Sequence, residues 1–290
     1  MCMKQAAENK GMGNLPQEQF LQFEKYLEDK GASPRTITSY KTAVRLYFSL
    51  YGELTPENLI SFKNYLINRY KSSTVNLRLH GINQYIKATA GAESGLSGYQ
   101  IPSVKQQQKT FLERVISQRD YERMKKGLKK DQCMLWYFVV RFLCATGTRI
   151  SELLQIKAEH IRMGYMDLCS KGGKVRRIYF PDTLCREALL WMETEQRTSG
   201  FIFTNRQGVP LTPRGVSMHL KAAARKYRIP EETVYPHSFR HRFAKNFLAQ
   251  FNDIALLADL MGHESIETTR IYLTKSCEEQ RALIDRIVTW

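Results

Sequence analysis

One stretch, C-M-L-W-Y-F-V-V-R-F-L-C-A from Cys133 to Ala145, limits the possible folds more than any other. It is apolar on nearly every side, so as a helix it has no face to give to water and must be the buried centre of a domain. It is also too short to cross a bilayer, and it contains Arg141. The rest of the chain therefore has to supply elements that cover it.

Before this stretch, apolar residues recur at helical spacing. Phe20, Phe23 and Leu27 mark a first helix. Ser33-Pro34 and Thr55-Pro56 each place a capping hydroxyl before a proline suited to the first helical turn. The helices they open carry Ile37, Tyr40, Val44, Tyr47 and Phe48, then Leu59, Phe62, Leu66 and Ile67. A fourth helix runs from about Ser73 to Ile86. Residues 1–14 form a polar tail expected to be disordered, and residues 15–90 a helical domain. Residues 91–110 are rich in Gly, Ser and Gln and contain Pro102, so they are expected to be a flexible linker.

A second domain spans residues 111–290. Ser117 with Asp120 fits the start of a helix to about Leu128, and another helix is expected to begin around Thr148. Residues 165–169 and 175–180 alternate as strands around the Gly-containing turn 170–174. Further helices are expected near 182–196, 212–227, 237–250, 253–261, 265–273 and 277–288, with a short strand at Phe201–Phe203. The fold class is thus mainly α with a small antiparallel sheet, in two domains.

Lys and Arg number 44 against 28 Asp and Glu, a formal charge of +16, which implies a polyanionic partner such as nucleic acid. Lys41, Arg45, Arg69, Lys71, Arg78 and Lys87 lie on polar faces of the first domain; they are candidate DNA contacts, although a solvated surface has the same composition. The six cysteines are scattered without a C-x-x-C pair, as in a reduced cytoplasmic protein. The first residues lack the apolar core of a signal peptide, and no membrane association is expected.

Four segments carry residues that packing does not require: Ala145 to Leu153, the turn with Lys171, His237 to Arg240, and Gly262 to Tyr272. Taken singly, each has an ordinary reading. Arg149 and Glu152 make an intrahelical ion pair, Lys171 a solvated turn, and Tyr272 a half-buried core residue. His237 and His241 have a zinc-ligand spacing, but H-E-x-x-H requires Glu where Ser238 stands, and Arg240 between them opposes a cation. Together they offer what displacement at a phosphodiester needs: planar guanidiniums for the charged oxygens, proton carriers, and a nucleophile that keeps the bond energy in a covalent link.

The set resembles the tyrosine recombinase (phage integrase) family. The box A-T-G-x-R-x-S-E-L is matched from Ala145 to Leu153, H-x-L-R-H-x-F-A from His237 to Ala244 with Phe239 for Leu, and L-G-H-x-x-x-x-x-T-x-x-Y from Met261 to Tyr272 with Met261 for Leu. The G-K-G-x-K turn is matched at Lys171 with Ser170 for the first Gly. The resemblance implies a helical core-binding (SAM-like) domain followed by a catalytic domain. In that reading Tyr272 is the nucleophile, Arg149 and Arg240 clamp the phosphate, and Lys171 is the general acid. His237 assists proton transfer or holds the phosphate, His263 hydrogen-bonds a phosphate oxygen, Glu152 orients its neighbours, and Lys174 adds to the DNA contacts. It further implies a double-stranded DNA recombination site, a tetramer on DNA formed with copies of the chain or a related recombinase, and no metal or other cofactor. Two other functions use the same residues: a type IB topoisomerase relaxing DNA, and a DNA-binding regulator without chemistry.

Overall fold

The computed structural model describes residues 16–89, 96, 98–105, 115–169, 175–263, 265–273, 281 and 284–288. It divides into two compact units, Met1–Gln108 and Lys109–Trp290.

The first unit contains α1 (Gln17–Asp29), α2 (Pro34–Leu50), α3 (Pro56–Arg69) and α4 (Ser72–Thr89). The capping devices form as the sequence predicts. Ser33 Oγ accepts from the Thr36 amide at 3.1 Å and Thr55 Oγ1 from the Asn58 amide at 3.2 Å, each satisfying an amide that a helix start leaves unpaired. Phe23, Val44, Tyr47, Phe62, Leu66, Ile82 and Tyr85 bury completely between the helices. Tyr47 meets Phe62 edge to face with centroids 5.1 Å apart, a favoured arrangement of aromatic quadrupoles. The α2 and α4 backbones approach closely at Gly81, where an added Cβ would lie 3.1 Å from the Tyr40 Cα.

Part of the expected flexible linker is fixed to this unit. Asn83 Nδ2 donates to the Ile101 carbonyl at 3.0 Å, and Asn83 Oδ1 accepts from the Ile101 amide at 2.9 Å. Asn76 holds Val104 in the same paired way, at 2.9 and 2.8 Å. Lys63 Nζ donates to the Pro102 carbonyl at 2.7 Å, and Ile101 is buried. Two asparagine amides, two helical turns apart on α4, thus copy the pairing that a neighbouring strand would give. Composition alone does not show this, because it depends on two side chains elsewhere in the chain.

The second unit is built around α6 (Met134–Thr146), whose Phe138, Val139, Val140, Phe142 and Leu143 are buried. Arg141 is accommodated by Glu187, 3.2 Å away, and by the Tyr137 hydroxyl at 2.8 Å. Around α6 lie α5 (Gln118–Lys130), α7 (Ile150–Leu153), α8 (Ala158–Met163), α9 (Asp182–Thr194), α10 (Pro213–Lys226), α11 (Pro236–Gln250), α12 (Ile254–Met261) and α13 (Glu267–Arg270). Strands β1 (Tyr165–Cys169) and β2 (Val175–Tyr179) pair antiparallel, Tyr165 opposite Tyr179 and Cys169 opposite Val175.

The helix expected from Thr148 is interrupted into α7 and α8. The intervening backbone pairs elsewhere: the Ile202 amide donates to the Ile156 carbonyl at 3.1 Å and the Ala158 amide to the Gly200 carbonyl at 2.9 Å. The same pairing reduces the strand expected at Phe201–Phe203 to an isolated bridge between Lys157 and Phe201. Cys133, Cys144, Cys169 and Cys185 are free thiols. Among the described residues no helix is long and apolar enough to cross a membrane.

Replacing Gly81 by Val is expected to force α2 from α4 and destabilise the chain by about 1–3 kcal/mol, the usual cost of overpacking. Urea unfolding of the full chain measures this, and an unchanged midpoint would refute the close approach.

Candidate active site

Arg240 is almost fully buried, with 3% of its surface exposed, although it carries a permanent charge. What compensates it are the ends of two helices. The Arg240 Nη1 group donates to the Gly147 carbonyl where α6 stops, and its Nη2 group to the Met261 carbonyl at the last residue of α12, both at 2.6 Å. Carbonyls at helix C-termini lack intrahelical partners and lie at the negative end of the dipole, so each is suited to a cation. Both helices end on a left-handed glycine, Gly147 at φ +62° and Gly262 at φ +61°. A Cβ at Gly147 would strike the Phe243 ring, and one at Gly262 would strike Arg176. Burial, with repulsion from Arg149, pushes the Arg240 guanidinium down to about 10, so it stays charged at neutral pH.

Glu152 links this arrangement to two more arginines. Its Oε2 accepts from the Arg149 backbone amide at 2.7 Å and its Oε1 from Arg149 Nη1 at 2.8 Å, while Arg149 Nη2 donates to the Gly262 carbonyl at 3.0 Å. Arg176 of β2 donates through Nη2 to Glu152 Oε2 at 2.7 Å and through Nη1 to the Met261 carbonyl, which Arg240 also uses. Burial pushes the Glu152 carboxyl up, but the Arg149 amide and the two guanidiniums outweigh it and hold it below the usual range. The sequence reading placed Arg149, Glu152 and Arg240 here and missed Arg176. The signal was present: alternation along β2 puts Arg176 on the side of buried Ile178, where a lone arginine needs a partner.

Tyr272 is brought to the same place by the turn following α13 and is 7% exposed. Its Oη lies 2.9 Å from Nδ1 of His241 on α11. His263, just past Gly262, has Nδ1 2.7 Å from the buried Thr269 hydroxyl, and its ring lies parallel to the Tyr272 ring at 6.4 Å. His237 stands one turn before His241 at the exposed edge, with ring centroids 6.3 Å apart. The sequence reading weighed His241 as a zinc ligand and matched it as the second His of the H-x-L-R-H box, without giving it a role. Among the described residues no group of three or more His, Cys, Asp or Glu side chains is placed to hold a metal ion. Burial raises the Tyr272 phenol to about 12 against the pull of Arg240 and Arg149. Burial and neighbouring positive charge lower both His241 and His263 to about 4, and His237 falls for the same reasons.

Lys171 and Lys174 lie outside the described residues. The remaining candidate DNA contacts belong to the first unit and are no part of this cluster. Lys41 is paired with Glu24 at 2.5 Å, Arg45 lies over Phe20, Arg69 over Tyr65 and Arg78 over Tyr70, while Lys71 and Lys87 are exposed. A cavity of about 860 Å³, lined in part by Trp136, Trp191 and Arg197, contains none of the clustered residues. Arg240 commits two of the five N–H groups of a guanidinium to carbonyls, and the remainder can meet an anion.

The two lowered histidines make stability depend on pH. An unfolded imidazole titrates near its ordinary 6.5, whereas these stay neutral when folded down to about 4. The unfolded state therefore binds more protons between those values, so their contribution is complete above pH 6.5 and is lost as pH falls towards 4. Unfolding free energy is expected to decline across that window, and less steeply in a chain carrying both His241→Gln and His263→Gln. An equally steep decline in the double variant would assign the acid sensitivity to other groups.

Residues 114–279 match the sequence profile of the Phage integrase family. Tyrosine recombinase XerA of Thermococcus kodakarensis is 28% identical over 273 residues, covering 92% of this chain and 94% of that protein. Tyrosine recombinase XerD of Listeria monocytogenes is 29% identical over 286 residues, covering 88% and 92%. The solved structure of a lambda integrase tetramer bound to a Holliday junction shares the fold at a TM-score of 0.68 and 17% identity, over 92% of this chain and 80% of that one. With the family's profile spanning more than half its length and the family's motif residues folded around one buried arginine, the chain belongs to the phage integrase family of tyrosine recombinases.

Proposed function

We propose that the chain is a site-specific DNA recombinase that cuts and rejoins double-stranded DNA through a 3′-phosphotyrosine. The observation that carries this reading is the meeting of the Tyr272 phenol with Arg149, Arg240, His241 and His263 in one cluster. A phosphodiester seated against the two guanidiniums has its non-bridging oxygens neutralised by planar donors fixed before it arrives. The neutral His263 imidazole donates a hydrogen bond to the same oxygens, and His237 contacts them from the exposed edge. Tyr272 then attacks phosphorus and the 5′ oxygen leaves with a proton. By family resemblance the proton donor is Lys171. Rejoining is the reverse step, and the covalent link conserves the bond energy, so no nucleotide, metal or other cofactor is called for.

The same reading assigns first-unit DNA contacts to the exposed Arg45, Arg69, Lys71 and Lys87, to Arg78, and to Lys41 once it leaves Glu24; Lys174 adds one from the catalytic unit. It makes the working species a tetramer on DNA, formed with copies of the chain or with a related recombinase, in the cytoplasm. Two features support the tetramer. The lambda integrase that shares this fold forms one on a Holliday junction. The chain's last described segment also exposes Ile284 (57%), Ile287 (51%) and Val288 (41%), an apolar stripe suited to a neighbouring protomer. Leu283 and Trp290, expected in the same stripe, lie outside the described residues.

The test begins by selecting a binding site from a pool of random duplexes with the Tyr272→Phe chain, then placing a nick in that site so that cleavage traps the protein. The unsubstituted chain is expected to form a detergent-resistant adduct and Tyr272→Phe none. Arg149→Ala and Arg240→Lys should each lower adduct formation by about 10²-fold or more, as loss of an oxyanion donor does. An adduct from Tyr272→Phe would move the nucleophile elsewhere, and no adduct from the unsubstituted chain would end the recombinase reading.

A further inference from the structure

Neither the family's motif roles nor the phosphate clamp accounts for the hydrogen bond between Tyr272 Oη and His241 Nδ1. Resting on the recombinase reading, we propose that His241 is the general base of the reaction, taking the phenol proton as Tyr272 attacks phosphorus and returning it when the strand is rejoined.

The geometry selects His241 among the three histidines. A base must lie within hydrogen-bond reach of the proton it removes, and 2.9 Å meets that condition. His263 has its Nδ1 engaged by Thr269 and its ring laid parallel to the phenol ring. His237 lies one turn further out, its ring 6.3 Å from that of His241. His241 also sits on the helix that carries Arg240, so the base and the phosphate clamp are fixed to one rigid element.

Protonation states agree with this role. Burial, then the neighbouring His237, Arg240 and Lys245, hold the imidazole at about 4, so it is neutral with a free lone pair at neutral pH. The role requires the tautomer with its proton on Nε2. A bound phosphodiester brings negative charge beside Arg240, which favours the imidazolium and raises the basicity of His241 when the substrate is in place. The step balances. An Oη–P bond forms, the P–O5′ bond breaks, and the phenol proton moves to Nδ1. The leaving oxygen takes a proton from the separate acid on its own side.

The test uses the full chain and the nicked duplex selected above. His241→Asn keeps a polar atom near the Nδ1 position but accepts no proton. It should bind the duplex normally and form adduct about 10²-fold more slowly or worse. Putting 3,5-difluorotyrosine at position 272 lowers the phenol pKa and should recover at least tenfold of that loss. Replacing the 5′ bridging oxygen by sulfur relieves a defect in the leaving-group acid, and should recover none. His241→Ala gives a second arm, in which added imidazole should restore cleavage in proportion to its basic form. Recovery by the sulfur duplex, no recovery by difluorotyrosine, or no response to imidazole would each overturn the assignment. Wild-type adduct rates in His241→Asn would refute this base alone, whereas no adduct from the unsubstituted chain would refute the recombinase reading itself.

Discussion

The catalytic unit depends on how it keeps a buried cation. A guanidinium removed from water is tolerated only if its donors are met, and Arg240 has its two terminal nitrogens met by carbonyls at the ends of α6 and α12. That requirement fixes where both helices stop and demands that each chain turn away at once. Gly147 and Gly262 supply the turn, because a left-handed backbone there suits glycine and a side chain would strike Phe243 or Arg176. Arg149 and His263 stand immediately beyond these two turns. The residues that would touch a phosphate are thus placed by the same interactions that keep Arg240 in the core, and little reorganisation is left for the moment of binding.

Charge within the cluster is deliberately uneven. Among the described residues Arg149 and Arg176 pair with one carboxylate, Glu152, beside the buried Arg240, and His241 and His263 are neutral at ordinary pH. Neutral histidines limit the repulsion among the arginines while the site is empty of DNA. Glu152 steadies Arg149 and Arg176 without neutralising all the positive charge, which leaves a net attraction for one more anion. A phosphodiester bound as proposed would complete the balance and change the groups around it, since added negative charge favours the protonated imidazole.

Much of this was legible in the chain. Helical spacing and the Ser33-Pro34 and Thr55-Pro56 caps gave the first unit, and the run around Arg141 gave the central helix, because both depend on local pattern. Glu152, Arg240, His263 and Tyr272 were found through motif spacing. What escaped depends on partners remote in sequence. The break between α7 and α8 comes from pairing with residues 200–202, and the ribbon at 101–104 from Asn76 and Asn83 on α4. Arg176 and His241 were passed over for the same reason: one acts through a carboxylate 24 positions earlier and the other meets a phenol 31 positions later.

The Thr269 hydroxyl adds a constraint that separates binding from chemistry. When it donates to Nδ1 of His263, the ring proton is held on Nε2, and the imidazole becomes a neutral donor directed away from Thr269. Because burial and the arginines keep His263 near 4, that donor is unchanged across the range in which DNA is handled, as is Arg240. The proposed clamp is therefore insensitive to pH, and the phenol, held near 12, stays protonated over the same range. In the proposed reaction Tyr272 must nevertheless give up its proton during attack, so the ionisation has to come from a base within reach of the phenol rather than from the bulk pH.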